Sequence, residues 1–281
     1  MGASPVGAQT APVNAVGVVD PGIGYADLAD LVVASPLIID ATIRSALRIK
    51  GAEAAGVAAN AARFYVEGDV VTLVRGTGAI PARVGWLVDV PLDARGRAPS
   101  LKKQRVLAFA RPVAGRPEQI QLVARDAQRP WSPATDALTR RIATEAAGAD
   151  APPVVTGVKS AFFVPGSLPG EGETQIFLTT QDNRPAALSV LRRPGEQPRW
   201  SVALSEVIDE NATAPTRDTL LWYRLACFLP AALPANAAAA LSEEEAAHAR
   251  EDYAFVMTQL GGCRAGLPGA GAPLSAGDGP A

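Results

Sequence analysis

Alternating apolar and polar residues predict that the first half of the chain is rich in β-strands. In the clearest run, LIIDATIRSALRI, Ile39, Ala41 and Ile43 share one face, and Asp40 and Thr42 lie opposite. Short connections between about five strands favour a small antiparallel barrel or sandwich over a parallel βαβ arrangement. The other runs are ARFYVEGDVVTLVRG, RVGWLVDVPLD, QRVLAFARPV and QIQLVARDA.

The second half repeats this pattern with four shorter runs. These are TGVKSAFFV, TQIFLTT, AALSVLRR and RWSVALS. The segments between them, PGSLPGEGE, QDNRP and PGEQP, are dense in the residues that form turns. The pattern therefore predicts a four-stranded antiparallel sheet.

Helical signals follow each group of strands. Ser132, as an N-cap, opens WSPATDALTRRIATEAAG, and TRDTLLWYRLACFL is a second helix that Pro230 ends. The last helix has the strongest signal, because Ser242 and Glu245 match a capping box and Gly261-Gly262 suits its end. One or two helical turns are also expected over residues 27–34.

These elements predict an α+β fold with two β-rich lobes and a C-terminal helical pair. We expect a flexible lead over residues 1–24 and a barrel-like lobe that ends in a helix over 25–150. A sheet with two helices follows over 151–263, and a disordered tail over 264–281. The Pro-Pro pair in ADAPPVV marks the linker between the lobes.

Composition narrows the class of protein without identifying a function. Hydrophobic residues make up 48% of the 281 residues and the net charge is −2, so no global field draws the chain to nucleic acid or anionic lipid. No apolar run approaches the roughly 18 residues of a membrane helix, so no membrane span is expected. The mature chain is therefore expected to be soluble.

The first residues, MGASPVGAQTAPVNA, resemble the end of a secretory signal peptide. Val6-Gly7-Ala8 provides small residues before a polar stretch, although the basic start and the apolar middle are missing. An internal start or a trimmed chain would account for this. The alternative is the flexible tail of a cytoplasmic protein. We favour a periplasmic or secreted location.

The two cysteines, Cys227 and Cys263, are candidates for one disulfide in an oxidising compartment. The alternative is a pair of unrelated buried thiols. In a tight helical hairpin the two residues would lie about 25–30 Å apart, beyond the reach of a disulfide. The bond therefore requires the link over residues 230–241 to carry the chain back, so that the two helix ends meet.

Candidate catalytic groups are few. Ser100 and Lys103 match a Ser-x-x-Lys pattern, but the companion motifs of that enzyme class are missing and the stretch lies in an apparent hairpin loop. His248 is the single histidine, which excludes a multi-histidine metal site within one chain. Glu244 and Asp252 share its helix face, and we interpret this face as a solvated acidic surface. No metal or cofactor is predicted.

The segment ARGRAPSLKKQR concentrates five cations and contains no acid. A five-stranded barrel with such a loop resembles oligonucleotide-binding folds, which grip a strand with cations and stacked aromatic rings. Aromatic residues are sparse in this half, however, so nucleic acid is disfavoured as a partner. The candidate contacts to an anionic ligand or a protein are Arg95, Arg97, Lys102, Lys103 and Arg105.

Taken together, the sequence predicts an exported protein that binds or scaffolds a partner at a bacterial-type cell envelope. A catalytic function is disfavoured. Neutral-pH catalysis needs a cluster of tuned acids, bases or metal ligands, and a lone histidine among scattered carboxylates offers little. Two alternatives remain. One is a hydrolase with a carboxylate or serine site between the lobes, and the other is a cytoplasmic nucleic-acid-binding protein that uses the first barrel.

Overall fold

A computed structural model describes residues 23–205 and 212–264. The predictions for residues 1–22 and 265–281 lie outside these ranges. The helices are α1 (Tyr25–Ala34), α2 (Pro133–Ala147), α3 (Leu220–Ala226) and α4 (Glu243–Leu260). The first six strands are β1 (Leu37–Arg48), β2 (Ala61–Arg75), β3 (Arg83–Pro91), β4 (Arg105–Pro112), β5 (Ile120–Leu122) and β6 (Gln128–Pro130). The remaining strands are β7 (Val155–Pro165), β8 (Gly172–Thr180), β9 (Ala187–Arg192) and β10 (Arg199–Ala203).

The first six strands form one antiparallel sheet that curls into a barrel. Its strand order is β3-β2-β1-β4-β5, and β6 pairs with β4. The two ends of this order meet where the Gly85 N–H donates to the Glu118 carbonyl and the Asp89 N–H donates to the Arg125 carbonyl, each at 2.8 Å. These hydrogen bonds join the two edge strands at two points and leave the seam between them partly unpaired.

A large aromatic side chain fills the barrel interior. Trp86 on β3 is buried, and its indole N–H donates to the Gln128 side chain at 2.8 Å. The ring packs so closely on β2 that a Cβ at Gly68 would lie 2.6 Å from it. Gly68 is therefore the residue that lets one long strand pass over the indole.

The second sheet has the four antiparallel strands that the sequence predicts, in the order β10-β9-β8-β7. The α+β fold with two β-rich lobes and C-terminal helices is thus confirmed. Helix α4 packs on β7 and β8 and covers one face of this sheet. Helices α1, α2 and α3 contact one another.

Local signals at the helix starts operate as expected. The Ser132 hydroxyl accepts the Thr135 N–H at the start of α2, and Ser242 and Glu245 form a reciprocal capping box at the start of α4. Helix α3 is shorter than its pattern predicts, because the chain reaches helical geometry only after Thr219, whose side chain caps the helix.

Cys227 and Cys263 form a disulfide, with their Cα atoms 4.9 Å apart. The link between α3 and α4 returns the chain as the sequence analysis required, and the Trp222 indole N–H donates to the Leu260 carbonyl at 2.9 Å. Just beyond the disulfide, Arg264 forms ion pairs with Asp27, at 3.0 Å, and with Asp30 of α1. In the described ranges no helix combines the length and the apolar character needed to cross a membrane.

Candidate functional site

The five predicted cations do not act as one group. Arg95, Lys102 and Lys103 lie exposed in the connection between β3 and β4. The Arg97 guanidinium instead forms an ion pair with Asp93 at 3.0 Å, because the carboxylate just before the segment folds back over it. The backbone N–H groups of Arg97 and Arg95 also donate to this carboxylate, which lowers the pKa of Asp93.

Arg105 belongs to the barrel wall and not to the loop. Its guanidinium donates two hydrogen bonds to the buried Asp40, at 2.9 and 2.6 Å, and these bonds raise the pKa of Arg105. The Trp131 ring covers the guanidinium at 3.7 Å. Arg105 is therefore committed to a structural contact, and three of the five cations are exposed and have no carboxylate partner among the residues that the structure describes.

Asp252 corrects the interpretation of the α4 surface. We expected an exposed acidic residue, but its side chain is 0% exposed and points into the second sheet. It accepts hydrogen bonds from Thr174 of β8 and Arg192 of β9. Burial lowers the pKa of Arg192, but the hydrogen bond and charge of Asp252 outweigh burial and leave this pKa raised.

His248 and Asp252 have different contacts, because Asp252 bonds to Thr174 and Arg192 of the second sheet. Its ring stacks on Phe163 with the centroids 4.6 Å apart and the planes at 19°. The histidine lines a cavity of about 540 Å³ together with Ser242, Glu244 and Arg192. Within the described residues, no three His, Cys, Asp or Glu side chains form a group able to hold a metal ion.

The face of the second sheet that no helix within residues 23–205 and 212–264 covers, which we call the open face, carries exposed apolar side chains. The strand register places Phe162 and Val164 on the same side as Phe177 and Leu191. Phe162 is 48% exposed and meets Phe177 edge to face, with ring centroids 5.8 Å apart. Water-exposed faces of antiparallel sheets normally carry polar residues, so these exposed apolar side chains depart from the usual pattern.

Three polar residues of the open face, Glu173, Gln175 and Ser189, bond to one another. Glu173 accepts hydrogen bonds from Ser189 at 2.9 Å and from Gln175 at 3.1 Å. A cavity of about 810 Å³ extends over this face and is lined by the two phenylalanines, by serines of β9 and β10, and by Lys159 at its rim. This surface is mainly apolar and hydroxylated, and two cations line it: Lys159, and Arg184, which forms an ion pair with Asp182 at 2.6 Å.

A second concave surface lies on the barrel wall, and we call it the barrel groove. It has a volume of about 580 Å³ and lies between β3 and the segment over residues 119–125. Arg63 and Asp89 form a bidentate ion pair in its wall, at 2.8 and 3.0 Å, which raises the pKa of Arg63. None of the five predicted cations lines it.

Comparisons with known proteins do not assign the chain: no protein-family model matches it, and no curated protein is similar to it.

Both concave surfaces escaped the sequence analysis. For the open face a signal was present, since AFFV and IFL are apolar on both faces of a strand, and in an antiparallel sheet this implies a second surface to be covered. For the barrel groove the signal is absent, because Tyr65, Leu87 and Arg125 come together only through strand register and barrel closure.

Proposed function

We propose that this protein is an exported binding or scaffolding protein of a bacterial-type cell envelope, and that it holds a protein partner on the open face. The apolar patch around Phe162 and Phe177 carries this proposal. Folded monomers rarely leave such a patch uncovered on an otherwise polar sheet surface, and patches of this kind serve as docking sites.

The chemistry of the open face supports a partner with an apolar segment next to an acidic group. The phenylalanines and Leu191 offer apolar contact area, and the serines offer hydroxyl groups. Lys159 lies exposed at the rim and has no carboxylate partner among the described residues. A negative charge on the partner would complement it.

The disulfide supports the location. Stable disulfides are rare in the cytoplasm of most organisms and common in exported proteins. Cys227 and Cys263 are 36 positions apart, and their bond joins two helix ends. A bond placed in this way serves structure rather than redox chemistry, as expected outside the cytoplasm.

A photo-crosslinking experiment in intact cells tests the partner. A photoreactive residue at position 177 should give one adduct of defined mass, and Phe162→Ser should weaken this adduct. The same residue at Val71, which is exposed on the barrel lobe, is the matched control and should give none. Equal adducts from both positions, or no adduct from position 177, would contradict the proposal.

A thiol-trapping experiment tests the location. Intact cells are treated with a membrane-permeant maleimide of known mass before lysis. The protein should remain unmodified until a reductant is added, and then gain two labels. Immediate labelling of both cysteines would show reduced thiols and contradict export.

The hydrolase alternative has less support. The buried carboxylates Asp40 and Asp252 lie in different lobes, and each is bound to an arginine. Neither lines the cavities described above. Such paired carboxylates are typical of structural contacts rather than of a general acid and base that share a substrate.

A further inference from the structure

The barrel groove is a second binding site, and its ligand differs in chemistry from a partner on the open face. We propose that it binds an acidic oligosaccharide, with a sugar ring on Tyr65 and a sugar carboxylate on Arg125. The argument rests on the charge of the barrel, on the geometry of the groove, and on the polar groups in its wall. It is independent of the function proposed above.

Charge is unevenly divided along the chain. Residues 37–130, which form the barrel, contain 15 of the 26 basic residues but 8 of the 28 acidic ones, a net charge of +7. The rest of the sequence therefore carries −9, and the overall value of −2 conceals this asymmetry. A basic lobe attracts anions to its own surface and raises their local concentration there.

The groove exists because the barrel seam is not fully paired. Strand β3 contacts the opposite wall at Gly85 and again at Asp89, through the two hydrogen bonds that close the barrel. Within the described residues, the contact at Gly85 is an isolated bridge to Gln119, and no continuous ladder connects it to the hydrogen bond at Asp89. The cavity lies along this seam and is open to solvent.

Tyr65 provides a ring platform at the base of the groove. Its phenol lies across Gly85, where a Cβ would approach the hydroxyl oxygen to 2.2 Å. In strand register with it, Leu47 is 67% exposed and Leu87 is 52% exposed. An aromatic ring between two aliphatic side chains offers the apolar C–H face of a sugar a surface on which to stack.

Arg125 is the surplus cation of the groove. Its side chain is 64% exposed and lies 4.0 Å from Asp89, but Asp89 already forms the bidentate pair with Arg63. The Arg125 guanidinium also donates to the Gly56 carbonyl at 2.5 Å, which holds it at the rim. Two cations and one carboxylate leave a net positive charge, and a guanidinium suits a carboxylate ligand.

Amide side chains complete the polar wall. Gln119 and Gln121 line the groove and offer both donors and acceptors, as hydroxyl-rich ligands require. Arg116 donates to the Gln119 carbonyl oxygen at 3.3 Å, which leaves the amide N–H groups of Gln119 for a ligand. Tyr65 is the one half-buried aromatic platform among the groove residues, whereas single-stranded nucleic acid is usually held by several stacked rings, so the sugar ligand is favoured.

Titration calorimetry of the full chain tests the proposal with defined probes. The probes are a hexamer of galacturonic acid, a neutral maltohexaose and a six-nucleotide oligothymidylate. The acidic hexasaccharide should bind, and the neutral one should bind at least about tenfold more weakly. Binding of the oligothymidylate as tight as that of the hexauronate would overturn the proposal, and so would failure of the hexauronate to bind.

Matched variants locate the site. Arg125→Gln and Tyr65→Ala should each weaken hexauronate binding by about tenfold or more, since each removes one of the two main contacts. Arg95→Gln, which removes an exposed cation outside the groove, should change binding less than about twofold, and Tyr65→Phe, which keeps the ring, should lose less binding than Tyr65→Ala. Equal losses for Arg95→Gln and Arg125→Gln would indicate diffuse attraction and refute the site.

Thermal melting of each variant shows that it is folded before binding is measured. Because the crosslinking test concerns Phe177 and this test concerns the barrel, the two can fail separately. Loss of the 177 adduct with intact sugar binding would reject only the partner on the open face, and the reverse would reject only the sugar site.

Discussion

The sheets of the two lobes differ in their edges and in the faces that they expose. The first sheet closes on itself through Gly85 and Asp89, so its open surface is a groove at the seam. The second sheet keeps two edge strands and leaves one face uncovered by helices, where Phe162 and Phe177 are exposed. Closure leaves a basic wall with polar groups, and an open sheet leaves an apolar surface. The two lobes therefore expose surfaces of different chemistry.

Both lobes bury one aspartate against one arginine, and this shared feature makes the comparison testable. Asp40 and Arg105 lie on the adjacent strands β1 and β4, so their ion pair lies within the barrel wall. Asp252 lies on α4 and reaches Arg192 on β9, so its ion pair joins a helix to a sheet. The second pair holds two layers together, and the first reinforces a layer that hydrogen bonds already hold.

The largest loss of stability is expected when the ion pair between Asp252 of α4 and Arg192 of β9 is broken. Asp252→Asn should lower the free energy of unfolding by about 3–5 kcal/mol, because it removes the buried carboxylate and leaves the part-buried Arg192 with only the exposed Glu251 as a charge partner. Urea denaturation measures this value. Glu251→Gln is the control, since Glu251 is exposed and pairs with the same arginine at 3.3 Å, and it should cost about 1 kcal/mol or less.

The same experiment on the barrel sharpens the comparison. Asp40→Asn should cost less than Asp252→Asn, because Arg105 remains more exposed to water and stacked on Trp131. A larger loss for Asp40→Asn would contradict the distinction between a pair within one layer and a pair between two layers.

Removing the disulfide should have the next largest effect. Cys227→Ser with Cys263→Ser should cost about 2–4 kcal/mol, because the bond closes a loop of 36 positions in the unfolded chain. Urea denaturation with and without reductant checks this value, and the double variant should not respond to reductant. Faster hydrogen exchange is expected in α3 and α4. Equal acceleration in the barrel would contradict a local role.

A pair of glycines compares packing in the two lobes. Gly68→Ala should cost about 1–3 kcal/mol, since its new methyl group meets the buried Trp86 ring. Gly157→Ala on β7 has no atom within 4 Å of the new methyl group and should change stability by about 0.5 kcal/mol or less. Chemical denaturation measures both values, and Trp fluorescence reports the indole. Equal costs would show that the barrel core is not tightly packed.

The smallest effect concerns acid and the start of α4. The Ser242 N–H and hydroxyl donate to Glu245 and hold its pKa below the usual range. This stabilisation is complete above the unfolded-state pKa of about 4.3, and it is lost as the pH falls through the lower pKa of the folded state. Denaturation at pH 7 and pH 3 should therefore show a smaller acid-induced loss in Glu245→Gln than in the natural sequence. An equal or greater loss in the variant would contradict a role for this carboxylate.

Local signals in the sequence predicted most helices and strands. Features that depend on contacts between distant residues were missed. The capping residues Ser132 and Ser242 and the turn-rich segments located α2, α4 and the strands of both lobes. The short strand β6 and the barrel seam depend on contacts between distant residues, which alternation along the chain does not encode.

The difference between local signals and long-range contacts also explains which candidate sites could be predicted. The cysteine pair could be predicted, because cysteine count and helix ends are local facts with a geometric condition. Asp252 could not, because its place among glutamates indicated a solvated face, and only docking of α4 on the second sheet buries it. Likewise, the sequence placed Arg97 and Arg105 in one basic loop. The fold instead pairs Arg97 with Asp93 and Arg105 with Asp40.

The ion pairs of Arg264 with Asp27 and Asp30 bring the two ends of the described chain together. Any segment attached before residue 23 or after residue 264 therefore starts from one region of the surface. The molecule is accordingly well suited to circular permutation, in which a short linker joins these ends and new ones are opened in an exposed turn.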